Sequence, residues 1–225
     1  MDYTRKRNKV LIVLSTILIV WMVAGYPPVY FAKEIKGQIV DASSGRPIKG
    51  AVIVAQWISF VAGPGHGGHN LRLHIIETVT DSVGRYTIPS WGPKLHLPFT
   101  ELDRIDPRLS IFKSGYLPKE LINSQDRSKM IRSSDWDGRI IRLQCFNGKI
   151  EDYARKMESM SNGLPRDGDE WKSFPYMVIA LSKEHARLQS IGLKPGYLVS
   201  VVAEDNLTDT DKFYLERFKT RKGAE

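Results

Sequence analysis

The sequence predicts a mainly β protein with added α structure: an N-terminal transmembrane helix, an antiparallel β-sandwich and a C-terminal helical region. Three observations lead there. An uncharged run, VLIVLSTILIVWMVAG over Val10–Gly25, follows a basic cluster of Arg5, Lys6, Arg7 and Lys9. Short segments that alternate, or are apolar throughout, recur between residues 33 and 146 with turn residues and no helical period between them. After Phe146 the apolar period lengthens to that of a helix. The expected organisation is therefore a basic tip and anchor at 1–32, a sandwich at 33–146 and helices at 147–225.

In lipid a backbone must satisfy its own polar groups, so the uncharged run is expected to be helical. Val10–Tyr26 spans roughly 25 Å at about 1.5 Å per residue, the short end of a membrane crossing. Pro27-Pro28 then ends it. The positive-inside bias of the basic cluster places the N-terminus in the cytoplasm and residues 33–225 in the periplasm, or otherwise outside the cell. Two outcomes stay open. Trp21, Tyr26 and Tyr30 fit an interfacial belt of an uncleaved anchor, while Val23-Ala24-Gly25 offers small residues for cleavage before Tyr26. With no cysteine after the run, lipoprotein processing is excluded.

Strands are predicted in order along the body. Glu34–Val40 places Ile35 and Ile39 on one face and Lys36 and Gln38 on the other. Asp41–Pro47 is turn chemistry. Gly50–Ile58 is apolar on both faces, as a central strand would be. His74–Thr80 and Arg85–Pro89 follow, joined by Asp81-Ser82-Val83-Gly84, a link suited to a tight hairpin. Arg108–Lys113 and Arg139–Cys145 complete the set, and the polar stretch Leu117–Asp135 reads as loop.

The tail is helical. Ile150, Tyr153, Ala154, Met157 and Met160 form one stripe ended by Asn162-Gly163. A second helix opens at Ser173-Phe174-Pro175, with Met177, Leu181, Leu188 and Ile191 on its apolar stripe and Gly192 as its stop. Lys194–Val202 reads as extended, and Thr208 caps a last helix whose charges follow the helix dipole, Asp209 and Asp211 first and Lys219, Arg221 and Lys222 last.

Several segments together resemble the carboxypeptidase regulatory-like domain, a transthyretin-like sandwich. They are Ile35–Asp41 (IKGQIVD), Gly45–Val52 (GRPIKGAV), Thr78–Pro89 (TVTDSVGRYTIP) and Gly115-Tyr116, with Gly138–Leu143 fitting less distinctly. Pro47 and Gly50 would shape the first turn, Asp81 would bond amides two residues on, and Gly84 would supply a positive φ. The resemblance implies a module that accompanies another activity and aids folding or binding instead of catalysis, and it implies a bacterial setting. Two insertions depart from it: the Gly/His-rich VAGPGHGGHN and the segment between Trp91 and Pro107.

The chain has 225 residues, 42% hydrophobic and 26% charged, with a net charge of +8, of which +3 lies in residues 1–32 and +5 in the rest. That is too mild over the body to point to nucleic acid. The single Cys145 excludes a disulfide framework and reads as a small hydrophobe. His74-Ile75-Ile76-Glu77 spells H-x-x-E, but on a strand residues three apart face opposite ways and cannot grip one zinc, and His185 is the only histidine well downstream. His66, His69, His74 and His96 are the candidate ligands for Zn²⁺, Cu²⁺ or Ni²⁺, against the simpler reading of a solvated glycine loop. No G-x-S-x-G, P-loop or G-x-G-x-x-G occurs, so no catalytic residue and no cofactor is assigned. Trp57, Trp91 and Trp136 fit either a stacking surface or the core.

The expected function is accordingly a non-catalytic, membrane-anchored binding or envelope-assembly module of the inner membrane, with an unidentified envelope protein or glycan as partner. The alternatives are a metal-binding accessory protein using the His-rich insertion, and an envelope hydrolase or a subunit of one.

Overall fold

The structure is a computed structural model that describes residues 2–24, 29–62, 68–95, 100–103, 105–124, 129–165 and 170–193. In chain order the elements are α1 (Asp2–Ala24), β1 (Val29–Ala32), β2 (Ile35–Asp41), β3 (Val52–Ala62), β4 (Gly68–Val79), β5 (Arg85–Ile88), β6 (Trp91–Leu95) and β7 (Thr100–Leu102). They continue with β8 (Arg108–Phe112), β9 (Lys119–Leu121), β10 (Ile131–Arg132), β11 (Arg139–Leu143), α2 (Ile150–Asn162), a single 3-10 turn at Glu170–Ser173 and α3 (Pro175–Ser190).

The apolar run of β3 determines the layering. Successive side chains of a strand face opposite ways, so Val52 and Val54 enter one core while Ile53, Ala55 and Trp57 enter another. The first core is shared with α2 and α3, through Tyr153, Met157 and Met160 of the one and Met177, Val178, Leu181 and Leu188 of the other. The second is shared with Ile35 and Ile39 of β2, Tyr86 and Ile88 of β5, and Ile141 and Leu143 of β11. Three layers result: two helices, a sheet of order β4-β3-β8-β9 with β7 also along β3, and two three-stranded sheets, β11-β2-β5 and β10-β1-β6.

Aspartates fasten two corners, and only at the first was that role expected. Asp81 Oδ1 accepts the amides of Val83 at 2.9 Å and Arg85 at 2.8 Å, and Gly84 has φ +73°. Asp41 Oδ1 accepts from both the amide and the hydroxyl of Ser43 and of Ser44, which hold its carboxyl well below the usual carboxylate range.

Other expectations are corrected. The pairings are mixed, since β1 with β10 and β2 with β11 run parallel. The Asp81–Gly84 link is a crossing between sheets and not a hairpin, because β4 pairs with β3 and β5 pairs with β2. Thr80 fixes that crossing: its buried hydroxyl donates to Ile48 O at 2.7 Å and accepts from Ala51 N at 2.8 Å. The stretch read as loop contains β9 and β10. The described ends of the Gly/His-rich insertion, Val61-Ala62 and Gly68–Asn70, are strand residues of β3 and β4, which pair from Val52↔Val79 out to Ala62↔Gly68 with a bulge at Leu73. The expected pieces at 194–202 and 208–222 lie outside the described residues.

The largest correction concerns the leader. α1 is described over Asp2–Ala24, and its first turns carry Arg5, Lys6, Arg7 and Lys9, so its described uncharged part, from Val10 to Ala24, is roughly 22 Å long at about 1.5 Å per residue against a hydrocarbon core of about 30 Å. No helix among the described residues is long and apolar enough to cross a membrane. That overturns the predicted transmembrane helix, and with it the single-pass inner-membrane location. The hydroxyls of Ser15 and Thr16 turn back on their own helix, to Leu11 O and Ile12 O.

Candidate functional site

α3 runs across the central sheet from β4 to the end of β8, and its polar contacts show how it is held. Pro175 occupies its first turn, where a missing amide proton costs nothing. Phe174 before it offers no side-chain cap. The cap comes from β4 instead: Glu77 accepts the amides of Tyr176 at 2.9 Å and Met177 at 2.6 Å, one on each carboxylate oxygen. Beside it Arg72 pairs with Glu170 at 3.1 Å, both side chains largely shielded. Toward the other end, Glu184 Oε2 accepts the hydroxyl of Ser114 just beyond β8, at 2.5 Å.

Between that second tie and the starts of β3 and α3's middle turns lies a cleft of about 520 Å³, inside the size range of small-molecule sites. Val52 and Phe112 form its sheet wall and Tyr176, Ile179 and Ala180 its helix wall, with Lys113, Lys183 and Arg187 at its polar end. Glu184 is 3% exposed there. Its Oε1 accepts Nε of Arg187 at 2.9 Å and Nη2 at 2.5 Å. Burial pushes the Glu184 carboxyl up, but the hydrogen bonds from Arg187 and Ser114 outweigh it and hold the group below its ordinary value. Burial, together with the Glu184 charge, pushes the neighbouring Tyr153 phenol up.

These states decide the chemistry. A carboxylate with both oxygens occupied and its pKa lowered is a poor general base. Ser114 faces that carboxylate and not a histidine, so the pair lacks the base-and-orienter arrangement of an activated nucleophile. The arrangement holds charge in place and leaves apolar and cationic surface open to a ligand.

The histidines singled out from sequence are not gathered into one site by the described residues. His66 and His96 lie outside them, and His69 is paired opposite Val61 in β4. His74 packs against Trp57 and Trp91, with ring centroids at 6.1 and 5.2 Å, and its Nδ1 lies 2.8 Å from Lys94 Nζ. Burial, aided by the Lys94 charge, lowers its pKa to about 4. His74 and Glu77 face opposite sides of β4, as the strand period requires, one in the aromatic core and one on the helix. No group of three or more His, Cys, Asp or Glu side chains among the described residues could hold a metal ion. His185 sits half-buried on α3 and Cys145 is exposed. Trp57 and Trp91 belong to the core, and Trp136 packs beside it while donating Nε1 to Ile122 O at 3.0 Å.

Sequence reasoning missed the cleft, although one signal was present. On the stripe Met177, Leu181, Leu188 the position one turn after Leu181 is Glu184, a charge on an apolar face. Such a residue is buried and therefore partnered, and Arg187 three positions on is the expected partner.

No family model matches the chain, and no curated protein matches it. Among solved structures it is similar to hydroxyquinol 1,2-dioxygenase from Pseudomonas putida, with 13% identity, 52% of this chain and 57% of that chain covered, and a TM-score of 0.24. It is similar at 9% identity to the C-terminal domain of the shaft pilin spaA from Lactobacillus rhamnosus GG, with 53% and 100% covered and a TM-score of 0.25. The major plantain pollen allergen gives 9% identity, 52% and 96% covered, and a TM-score of 0.24. The chain thus spans a little over half the length of the dioxygenase, and likenesses this slight carry nothing about its fold or activity.

Proposed function

We propose that this protein is a non-catalytic binding module that takes a small ligand in the cleft between α3 and the ends of β3 and β8. The observation that carries the reading is the buried Glu184, locked between Ser114 and Arg187 at one end of a 520 Å³ cleft. Its charge is already answered, so the group positions the wall and the cleft's remaining surface is free to recognise. The resemblance of Ile35–Tyr116 to carboxypeptidase regulatory-like modules points the same way, toward binding and not turnover.

The test is a fluorinated fragment library screened against the full chain by ligand-observed NMR, alongside Ala180→Trp. Ala180 is on the helix wall and half-buried, so an indole there fills the cleft without entering the core. Fragments that bind the parent chain should lose binding in the variant. If every fragment that binds does so equally well with Ala180→Trp, the cleft is not the binding site.

A further inference from the structure

The cleft is polar at one end only. Tyr176, Ala180, Lys183 and Arg187 follow one another at helical spacings along a single stripe of α3, which therefore changes from aromatic and apolar to cationic over roughly 16 Å. The opposite wall repeats the change, from Val52 and Phe112 to Lys113. Lys113 belongs to the sheet side, so its charge cannot be ascribed to the preference of a helix C-terminus for cations. Its ammonium lies over Gly50, 3.3 Å from where a Cβ at that residue would stand. Lys113 and Lys183 thus approach the same end from two elements. Glu184 is answered by Arg187, and among the described residues neither lysine has an ion-pair partner. Two uncompensated ammonium groups at the mouth of a partly desolvated cleft create a local field for an anion.

Resting on the binding reading above, we propose that the ligand is an anionic amphiphile: a carboxylate-type head between Lys113, Lys183 and Arg187, and an apolar tail along Ile179, Ala180 and Tyr176. The probes are octanoate, octanol and octylammonium, which share a tail and differ in head, titrated calorimetrically into the full chain. Octanoate should occupy one site, octanol should bind about tenfold or more weakly, and octylammonium should not bind. Lys113→Ala with Lys183→Ala should weaken octanoate by about tenfold or more and leave octanol unchanged, while Lys→Arg at both positions restores octanoate. Circular dichroism confirms that each variant is folded. Octanol or octylammonium binding as tightly as octanoate overturns the anionic assignment and leaves the cleft as a binding site. Failure of all three probes, while fragments sensitive to Ala180→Trp still bind, likewise overturns the amphiphile alone. Failure of every fragment overturns the binding reading itself.

Discussion

Replacing Glu77 tests whether the helical layer is fastened to the sheet by a cap supplied from a distant strand. Its two oxygens serve the amides of Tyr176 and Met177, nearly one hundred residues away, and α3 has no cap of its own. Losing a side-chain N-cap costs about 1 kcal/mol, with a range of about 0.5–2. Removing a negative charge from the positive end of a helix dipole adds about 0.3–1 kcal/mol. Glu77→Ala is therefore expected to lose about 2 kcal/mol, and Glu77→Gln, which keeps one oxygen acceptor but no charge, about 1 kcal/mol. In a chain of this size the first corresponds to a fall in Tm of about 4–8 °C. Urea unfolding followed by far-ultraviolet circular dichroism gives both values. The reasoning fails if Glu77→Ala stays within about 0.5 kcal/mol of the parent, or if Gln costs as much as Ala.

Three other outcomes follow from the corners and the aromatic core. Thr80→Val should cost about 2–4 kcal/mol by denaturant titration, because it leaves the buried Ala51 amide and Ile48 carbonyl unpaired, and Thr80→Ser should recover most of it. Gly84→Ala should be distinctly worse than Gly45→Ala. Both residues have positive φ, worth about 1–2 kcal/mol to any side chain, but a Cβ at Gly84 would collide with Ile39 O whereas nothing lies within 4 Å at Gly45; equal losses would show that the crossing can yield. His74 has a folded pKa of about 4, below its ordinary 6.5. The fold therefore prefers the neutral ring, and its contribution is complete above pH 6.5 and is lost as the pH falls toward 4. Comparing Tm against pH for the parent and His74→Gln should show that limb in the parent alone.

How much of this was legible depends on whether the cause was local. The doubly apolar run at Gly50–Ile58 marked the central strand because burial on two faces leaves no polar alternation, and β3 is that strand. The stripes from Ile150 and Met177 gave α2 and α3 for the same kind of reason. β10 has two residues and β7 three, too short to show any period, and they exist only because β1 and β3 offer partners. The Asp81–Gly84 turn was readable as a turn, but its destination was not: nothing nearby in sequence says that Tyr86 and Ile88 must bury against β2. In the leader, hydropathy showed a helix, and α1 is one, but its described part includes the basic cluster in its first turns and leaves a short uncharged stretch, Val10–Ala24.

The cleft was hidden because it arises from how α3 is fastened and not from what lines it. Apolar contacts are non-directional and let a helix settle until voids close. Charged hydrogen bonds have fixed lengths and fixed addresses. α3 is anchored by Glu77 on β4 at its N-terminus and by Ser114 beyond β8 at Glu184, so its position is set by two polar points on opposite sides of the sheet. Between them Met177, Val178 and Leu181 lie in the core, while the neighbouring Tyr176, Ile179 and Ala180 pack at its margin and line the cleft. The same polar ties that make Glu184 a poor base thus also fix where α3, the helix wall of the cleft, stands on the sheet.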